Sequence, residues 1–412
     1  MNDRATLLVH APTDQFPMRA SMLTVGGIAL GRLAARVGQT PFYAYDRALL
    51  SQRVAELRAH LPETISLHYA MKANPMPAVV AHMAREVDGI DVASGHELRV
   101  ALDAGMDARE ISFAGPGKHA TELRQAIASG VLINVESPTE LATIARLATE
   151  LELPARVALR VNPDFELKSS GMKMGGGPKQ FGIDAETIPD LLRTIAAPLV
   201  FEGFHIFSGS QNLRAEAIIE AQSKALELAT RLAAHAPGPV RTLNIGGGFG
   251  IPYFPGETRL DLAAVGRHLH GLVDHAKNAL PEAEIVVELG RYLVGEAGLY
   301  VARVIDRKVS RGQVFLVTDG GLHHHLSASG NFGQVIRKNY PVAIGTRAPD
   351  AEREIASVVG PLCTPLDLLA DRMDLARADI GDLIVVFQSG AYGLTASPGH
   401  FLSHPPAVEV LV

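Results

Sequence analysis

Short apolar segments alternate with amphipathic ones from residue 43 to residue 291, and this alternation limits the fold more than any other feature. In the amphipathic segment 140–151, for example, Leu141, Ile144 and Ala145 have the spacing of one helix face. Eight strand–helix units in about 250 residues match the size of a (β/α)8 barrel. An open doubly wound sheet stays the alternative, because alternation alone does not distinguish the two. The apolar segments predict barrel strands at 66–71, 89–93, 111–114, 132–135, 157–161, 201–207, 243–245 and 285–288.

The sequence after residue 292 predicts a second, mostly antiparallel β domain, because β-rich segments alternate there with Gly and Pro. The best helix signal in this part is at 365–371. We expect the barrel domain at 42–292 and the β domain at 1–41 and 293–412, with the extended segment 42–45 able to add a strand to it. The β-rich segments lie at 299–309, 314–318, 354–359, 382–387 and 408–412.

Composition and charge narrow the classes of function. The net charge of −6 and the pI near 6.2 do not indicate the basic surface that is typical of proteins that bind nucleic acid or anionic membranes. A single cysteine, Cys363, excludes an intrachain disulfide and favours a reducing compartment. No apolar run approaches the ~20 residues that cross a bilayer, and the first 19 residues lack the apolar core of a signal peptide. We therefore expect a cytoplasmic protein without nucleic-acid or membrane partners.

The active sites of barrels lie at the carboxyl ends of the strands, so the residues there are the candidate site. Lys72 follows the first strand, and an amine there is either a solvated surface lysine or a Schiff-base lysine that holds a carbonyl cofactor. Glu288 ends an apolar run and needs a cationic partner or the protonated ring nitrogen of a cofactor. The glycines at 246–248, and Gly290 with Arg291 at the next strand end, suit a phosphate.

Six motifs stand in an order that resembles one enzyme family. The chain resembles, from about residue 41 to residue 412, the pyridoxal-phosphate decarboxylases of the ornithine/diaminopimelate decarboxylase family. That resemblance implies an alanine-racemase-like barrel with a β domain, the cofactor pyridoxal 5'-phosphate, decarboxylation of an amino acid, and a homodimer. The motifs are at 69–74, 91–98, 246–249, 288–291, 360–363 and 390–392.

The resemblance also implies roles for single residues. Lys72 is similar to the residue that binds the cofactor covalently, and Glu288 to the acid that keeps the ring nitrogen protonated. Cys363 resembles the acid that reprotonates the α-carbon, reaching in from the second subunit, and Thr364 and Tyr392 would join it at the substrate. Glu97 matches a family position near the ring. The other positions that match cofactor contacts are Asp91, Arg160, Phe207, Ser210, Gly246, Gly247, Gly248, Gly290, Arg291 and Tyr392.

Three departures from the family pattern bear on the substrate. Phe207 replaces a family histidine that stacks on the cofactor ring, and this replacement keeps an aromatic face there. His205 is expected to be structural. Thr364 replaces the acid that receives the distal amine in diaminopimelate decarboxylases. The segment 322–328 has no arginine for the substrate carboxylate. Its three consecutive histidines alternate faces, so they predict no metal site and are expected to line the substrate pocket.

The segments 205–213 and 364–367 resemble the exosortase-A-associated branch, which is found with exopolysaccharide genes. A related branch decarboxylates an aminoacyl group on an acyl carrier protein, and such a substrate would explain the missing arginine. Diaminopimelate decarboxylase stays open as an alternative. An amino-acid racemase, which Glu288 disfavours, and a non-catalytic cofactor binder stay open as alternatives of another class.

Overall fold

The computed structural model describes residues 9–166 and 175–412, together with the backbone of residues 172–173. The chain divides into two compact units. The barrel unit contains Gln52–Ile251 and Leu260–Tyr292, and the β unit contains the residues up to Ser51, Pro252–Arg259 and Leu293–Val412.

The barrel unit is built on eight parallel strands, each hydrogen-bonded to the next. The eighth strand pairs with the first, from Ile285 beside Ile65 to Leu289 beside Tyr69, so the sheet closes. This closure confirms the predicted barrel and excludes the open sheet. The short strand Ile183–Asp184 is added beside the fifth strand. The first to eighth barrel strands are Ile65–Ala70, Gly89–Val92, Ile111–Phe113, Leu132–Val135, Ala155–Asn162, Leu199–His205, Thr242–Gly247 and Glu284–Leu289.

Helices connect the barrel strands, and side-chain caps begin several of them. Ser94 accepts a hydrogen bond from the Glu97 amide, and Ser137 accepts one from the Glu140 amide, which satisfies amides that a helix start leaves unpaired. Within the described residues, no helix is long and apolar enough to span a bilayer. The α-helices of this part of the sequence are Arg47–Arg58, Pro77–Met83, Gly95–Asp103, Ala120–Ser129, Pro138–Leu151, Ile188–Leu192, Ala215–Ala233, Leu262–Ala279 and Arg291–Val294.

The β unit contains a mixed, mostly antiparallel sheet, as predicted. Its one parallel pair along the main strand order joins Gln313–Thr318 to Arg353–Val359 in the described residues. A smaller sheet of Met18–Arg19, Met22–Val25 and Ile28–Ala29 precedes the helix Leu30–Val37. Six strands of the main sheet follow one another in the order Val342–Ile344, Leu383–Val386, Gly298–Ser310, Gln313–Thr318, Arg353–Val359 and Leu368–Ala376, while Phe42–Tyr45 is added beside Gly298–Ser310 and Val408–Leu411 beside Phe42–Tyr45.

Two details of the β unit bear on the sequence-based interpretation. Phe42–Tyr45 pairs with Gly298–Ser310 and Val408–Leu411, so this extended segment adds a strand to the β unit, as the sequence suggested. The helix signal at 365–371 is wrong, because Leu368–Ala376 is a strand paired with Arg353–Val359. Both outcomes depend on partners distant in sequence, which a local pattern does not contain.

Candidate active site

A layer of polar side chains lies inside the barrel. Residues opposite each other on neighbouring parallel strands project from the same face, and the register places His68 beside Glu288, Arg160 beside His205, and His205 beside Asn244. A buried polar group reduces stability unless it is paired. A whole layer of such groups therefore indicates a functional site and not ordinary core packing. Its members, each less than a tenth exposed, are His68, Asp91, Ser112, Asn134, Arg160, His205, Asn244 and Glu288.

Lys72 lies in a 3-10 turn, Met71–Ala73, directly after the first barrel strand. The Tyr69 hydroxyl donates a 2.7 Å hydrogen bond to the Asn74 carbonyl, which holds the turn against the end of its own strand. The Lys72 side chain is exposed, and its Nζ lies 5.9 Å from the centre of the Phe207 ring. Burial raises the pKa of Glu97, and the Ala93 N–H and the nearby Lys72 amine oppose that rise. Lys72, Phe207 and Glu97 therefore lie together at the rim.

Glu288 is a buried carboxylate with two neighbours, one from the sixth barrel strand and one from the seventh. Its Oε2 lies 3.2 Å from His205 Nε2, without good hydrogen-bond angles, and accepts a 3.4 Å hydrogen bond from Asn244 Nδ2. Burial by itself would raise the pKa of Glu288, but His205, Lys72 and Arg160 hold that pKa well below its usual range. Glu288 is therefore an anion within electrostatic reach of Lys72. The sequence did not predict either His205 or Asn244 as its partner.

Asp91 has its own network on the first four barrel strands. Its Oδ1 accepts a hydrogen bond from the Ser112 hydroxyl and lies 3.1 Å from His68 Nδ1, and Asn134 donates in turn to Ser112. Burial lowers the pKa of His68, but Asp91, with smaller contributions from Glu284 and Glu288, raises it, and the net pKa is raised. A Cβ on Gly89 would overlap the His68 ring, so glycine makes room for this pair. The Oδ2 atom of Asp91 is buried without a partner among the described residues.

Arg160 is ion-paired at the rim. Its Nη1 donates a 2.6 Å hydrogen bond to Glu136, which also accepts from the amides of Gly115 and Gly182. Burial raises the pKa of Glu136, but Arg160 reverses that effect and the net pKa is lowered. The Phe181 ring lies 4.9 Å from the Arg160 guanidinium. Sequence reasoning did not assign Glu136 this role, although its place at the end of the fourth strand was a signal.

The glycine turn packs tightly against two neighbouring segments. Gly246 and Gly248 have φ values of 70° and 71°, which favour glycine. A Cβ on Gly247 would overlap the Glu288 carbonyl, and one on Gly248 would overlap the Gly209 carbonyl, next to Ser210. The structure thus brings together Phe207, Ser210, Gly246, Gly247 and Gly248. Backbone amides with no intervening side chains suit a phosphate.

The end of the eighth strand contacts the Lys72 turn. A Cβ on Gly290 would lie 2.9 Å from the Ala73 Cβ and 3.0 Å from the Ala70 carbonyl. Arg291 is the first residue of the following helix. Lysine, carboxylate, aromatic face and glycine turn therefore occupy one end of the barrel. This set fits pyridoxal phosphate, which needs an amine for its aldehyde, an anion for its ring nitrogen and amides for its phosphate.

Cys363, Thr364 and Tyr392 lie in the β unit, and their roles stay predictions. Cys363 is exposed. Its loop is fastened by the buried Asp367, which accepts hydrogen bonds from the amides of Leu362 and Leu322 at 2.8 Å and 2.6 Å. The Tyr392 carbonyl accepts a 3.0 Å hydrogen bond from the Ser327 hydroxyl.

The three consecutive histidines are packed inside the β unit. The rings of His323 and His324 lie 3.7 Å apart, and His325 Nε2 lies 2.9 Å from the Ser389 hydroxyl. Burial lowers the pKa of both His323 and His325 to about 3, so their rings are neutral. In the part of the chain that the structure describes, no group of His, Cys, Asp or Glu could hold a metal ion. Their predicted role as pocket lining stays untested.

Comparison with known proteins identifies the family. The profile described as pyridoxal-dependent decarboxylase, pyridoxal binding domain, matches residues 47–295. L-glutamyl-(BtrI acyl-carrier protein) decarboxylase of Niallia circulans is 39% identical over 90% of this chain and 89% of its own. Diaminopimelate decarboxylase of Aquifex aeolicus is 31% identical over 96% and 91%. The structure of the Helicobacter pylori diaminopimelate decarboxylase with L-lysine superposes with a TM-score of 0.80 at 27% identity, covering 93% and 94%. The chain therefore belongs to the pyridoxal-phosphate-dependent decarboxylases, the family that its six motifs predicted.

Proposed function

We propose that this decarboxylase acts on an amino acid carried by an acyl carrier protein. The observation that carries the proposal is the 39% identity to a decarboxylase named for such a substrate, against 31% for the diaminopimelate enzyme of Aquifex aeolicus. The pocket sequence agrees with it. Thr364 cannot pair with a distal ammonium, and the segment 322–328 has no arginine for a distal carboxylate. A tethered substrate does not present that carboxylate.

Residues at the rim of the barrel have separate roles in the proposed reaction. Pyridoxal phosphate, when bound, supplies an aldehyde that takes up an amine and a ring that accepts the electron pair left by departing CO2. Lys72 makes the covalent link to the aldehyde. The Glu288 carboxylate, kept anionic by His205, holds a proton at the ring nitrogen and so maintains the ring as an electron acceptor. Phe207 offers its aromatic face to the ring.

Further residues hold the cofactor's other groups. The amides of Gly246, Gly247 and Gly248, with Ser210 and Gly290, hold the phosphate, and Arg291 adds a cation. Tyr392 is the remaining position that the family resemblance assigns to the phosphate. Asp91, Arg160 and Glu97 form the polar surroundings of the ring and of Lys72. These groups bind or orient the cofactor. Only Lys72, Glu288 and Cys363 take a direct part in the reaction.

We also propose a homodimer in which Cys363 serves the site of the second subunit and donates a proton to the α-carbon after CO2 has left. Cys363 is exposed, and Leu366 in the same loop is 59% exposed although apolar. Asn331 donates a hydrogen bond to the Leu366 carbonyl, and the adjoining Phe332 is 47% exposed. An apolar surface around a predicted catalytic residue supports burial against another copy of the chain.

Mixing two inactive variants tests the shared site. Lys72→Ala and Cys363→Ala homodimers should each have little activity, whereas a mixed population should regain up to about a quarter of the wild-type rate, because mixed dimers contain one intact site. A mixture as inactive as its components would contradict the shared site. Sedimentation of the wild type as a monomer at assay concentration would contradict the dimer itself.

Free diaminopimelate is the second candidate substrate, supported by the relatives from Aquifex aeolicus and Helicobacter pylori. CO2 release should be compared for L-glutamyl-carrier protein, free L-glutamate and free diaminopimelate. We expect kcat/KM to be at least about 100-fold higher for the carrier-bound substrate, since interactions with the tether add to transition-state binding. Faster turnover of free diaminopimelate would reverse the assignment. Thr364→Glu should raise turnover of free diaminopimelate, with Thr346→Glu in the same unit as a matched control.

A further inference from the structure

A small pocket adjoins the glycine turn. Its volume is about 20 Å³, which exceeds the roughly 10–15 Å³ that one water molecule needs. Its polar and glycine lining consists of Ser208, Gly209, Asn212, Gln222, Gly247 and Gly248.

Gln222 is the polar exception on a buried helix face. It lies on the helix Ala215–Ala233, where its buried neighbours include Ile218, Ala225 and Leu226. Only 1% of Gln222 is exposed, and neither its Nε2 nor its Oε1 has a hydrogen-bond partner among the described residues. A buried amide without partners is unfavourable, so an ordered water is expected beside it.

The segments 208–212 and 247–250, which line the same pocket as Gln222, are hydrogen-bonded to each other. The Asn212 amide donates to the Gly248 carbonyl at 2.9 Å, and the Gly250 amide donates to the Asn212 carbonyl at 2.8 Å. Gly248 also packs directly on Gly209. A contact from Gln222 to this pair would therefore restrain both segments together.

We propose that Gln222 is a positioning residue for the phosphate of the cofactor. Its amide binds one ordered water in the pocket, and that water fixes the backbone of residues 208–209 and 247–248. The inference rests on the proposed placement of the phosphate at this turn. It extends that proposal to a helix residue that does not touch the cofactor.

Cofactor affinity separates this role from simple packing. In Gln222→Met, which keeps the length of the side chain and removes the amide, the apoenzyme should bind pyridoxal phosphate about tenfold more weakly, the effect of one lost hydrogen bond. Affinity for pyridoxal, which lacks the phosphate, should not change. Stabilisation of the apoenzyme by inorganic phosphate, measured as a shift in melting temperature, should shrink in parallel. A crystal structure of the wild type should contain a water within hydrogen-bond distance of Gln222.

Several outcomes would overturn the proposal. For Gln222→Met, these are an unchanged affinity for pyridoxal phosphate or an equal loss of affinity for pyridoxal. For the wild type, they are a crystal structure without a water beside Gln222 or equal affinities for the two compounds. If Gln222→Met does not fold, Gln222→Glu keeps the shape and should selectively weaken phosphate binding by charge repulsion. Gln125→Met, which removes an amide from another barrel helix, should leave the ratio of the two affinities unchanged. These measurements need no substrate, so the absence of CO2 release would refute the proposed function and leave this test intact.

Discussion

Asp367 offers a quantitative test of how the Cys363 loop is held. The side chain is 3% exposed, and its two oxygens accept hydrogen bonds from the amides of Leu322 and Leu362. A Cβ on Gly321 or on Gly360 would overlap the carboxylate, so both glycines leave it room. Asp367 thus joins two loops that are about 40 residues apart in sequence, and its removal should release both.

The size of the effect follows from the two bonds. A hydrogen bond to a charged group contributes about 1.5–3 kcal/mol, so Asp367→Ala should lose about 3–6 kcal/mol at this site. Each amide separately should lose protection from hydrogen exchange by about 10- to 100-fold, at 1.4 kcal/mol for each factor of ten. Asp367→Asn should spare one amide, since its side chain keeps one acceptor oxygen.

Hydrogen exchange followed by mass spectrometry on peptides covering 320–325 and 360–367 measures this loss directly. Asp374→Asn is the matched control, because Asp374 is an exposed partner of Arg353 and such surface pairs contribute at most about 1 kcal/mol. Wild-type protection of both amides in Asp367→Ala would refute the reasoning. Activity should fall with protection, because the loop carries the proposed proton donor.

Two further predictions concern the barrel interior. Glu288→Gln should retain pyridoxal phosphate but lower kcat by at least about 100-fold, because a neutral amide does not keep the ring nitrogen protonated; steady-state kinetics at saturating cofactor with unchanged kcat would contradict this. His68 has a raised pKa because the nearby carboxylates, Asp91 foremost, together outweigh burial, so its contribution to stability is complete below pH 6.5 and is lost as the pH rises through the folded-state pKa. The difference between the urea midpoints of the wild type and His68→Gln should therefore be larger at pH 6 than at pH 9, and a difference that grows with pH would be inconsistent with the ion pair.

The sequence predicted the barrel and the positions of its rim residues because both follow from local pattern. Buried parallel strands appear as apolar runs, and the residue after each run lies at the rim. Lys72, Glu288 and the glycines at 246–248 could be found in this way. The motifs added Cys363 and Tyr392, whose strand context alone gives no chemical signal.

The partners of these residues could not be predicted, because they depend on register between strands. His205 reaches Glu288 across the seventh strand, and Arg160 pairs with Glu136 on the neighbouring strand. A shift of one residue in either strand would turn these side chains to the other face. The helix signal at 365–371 is wrong for a related reason, since the pairing of the strand Leu368–Ala376 with Arg353–Val359 outweighs local propensity.

The most direct test of the central claim is to locate the cofactor on the chain. Reduction of the holoenzyme with borohydride makes the bond between the cofactor and its lysine permanent, and peptide mass spectrometry then identifies the modified residue. We predict one phosphopyridoxyl group per chain, on Lys72, and none in Lys72→Ala. Attachment to another lysine, or an unmodified chain from an active preparation, would contradict the account.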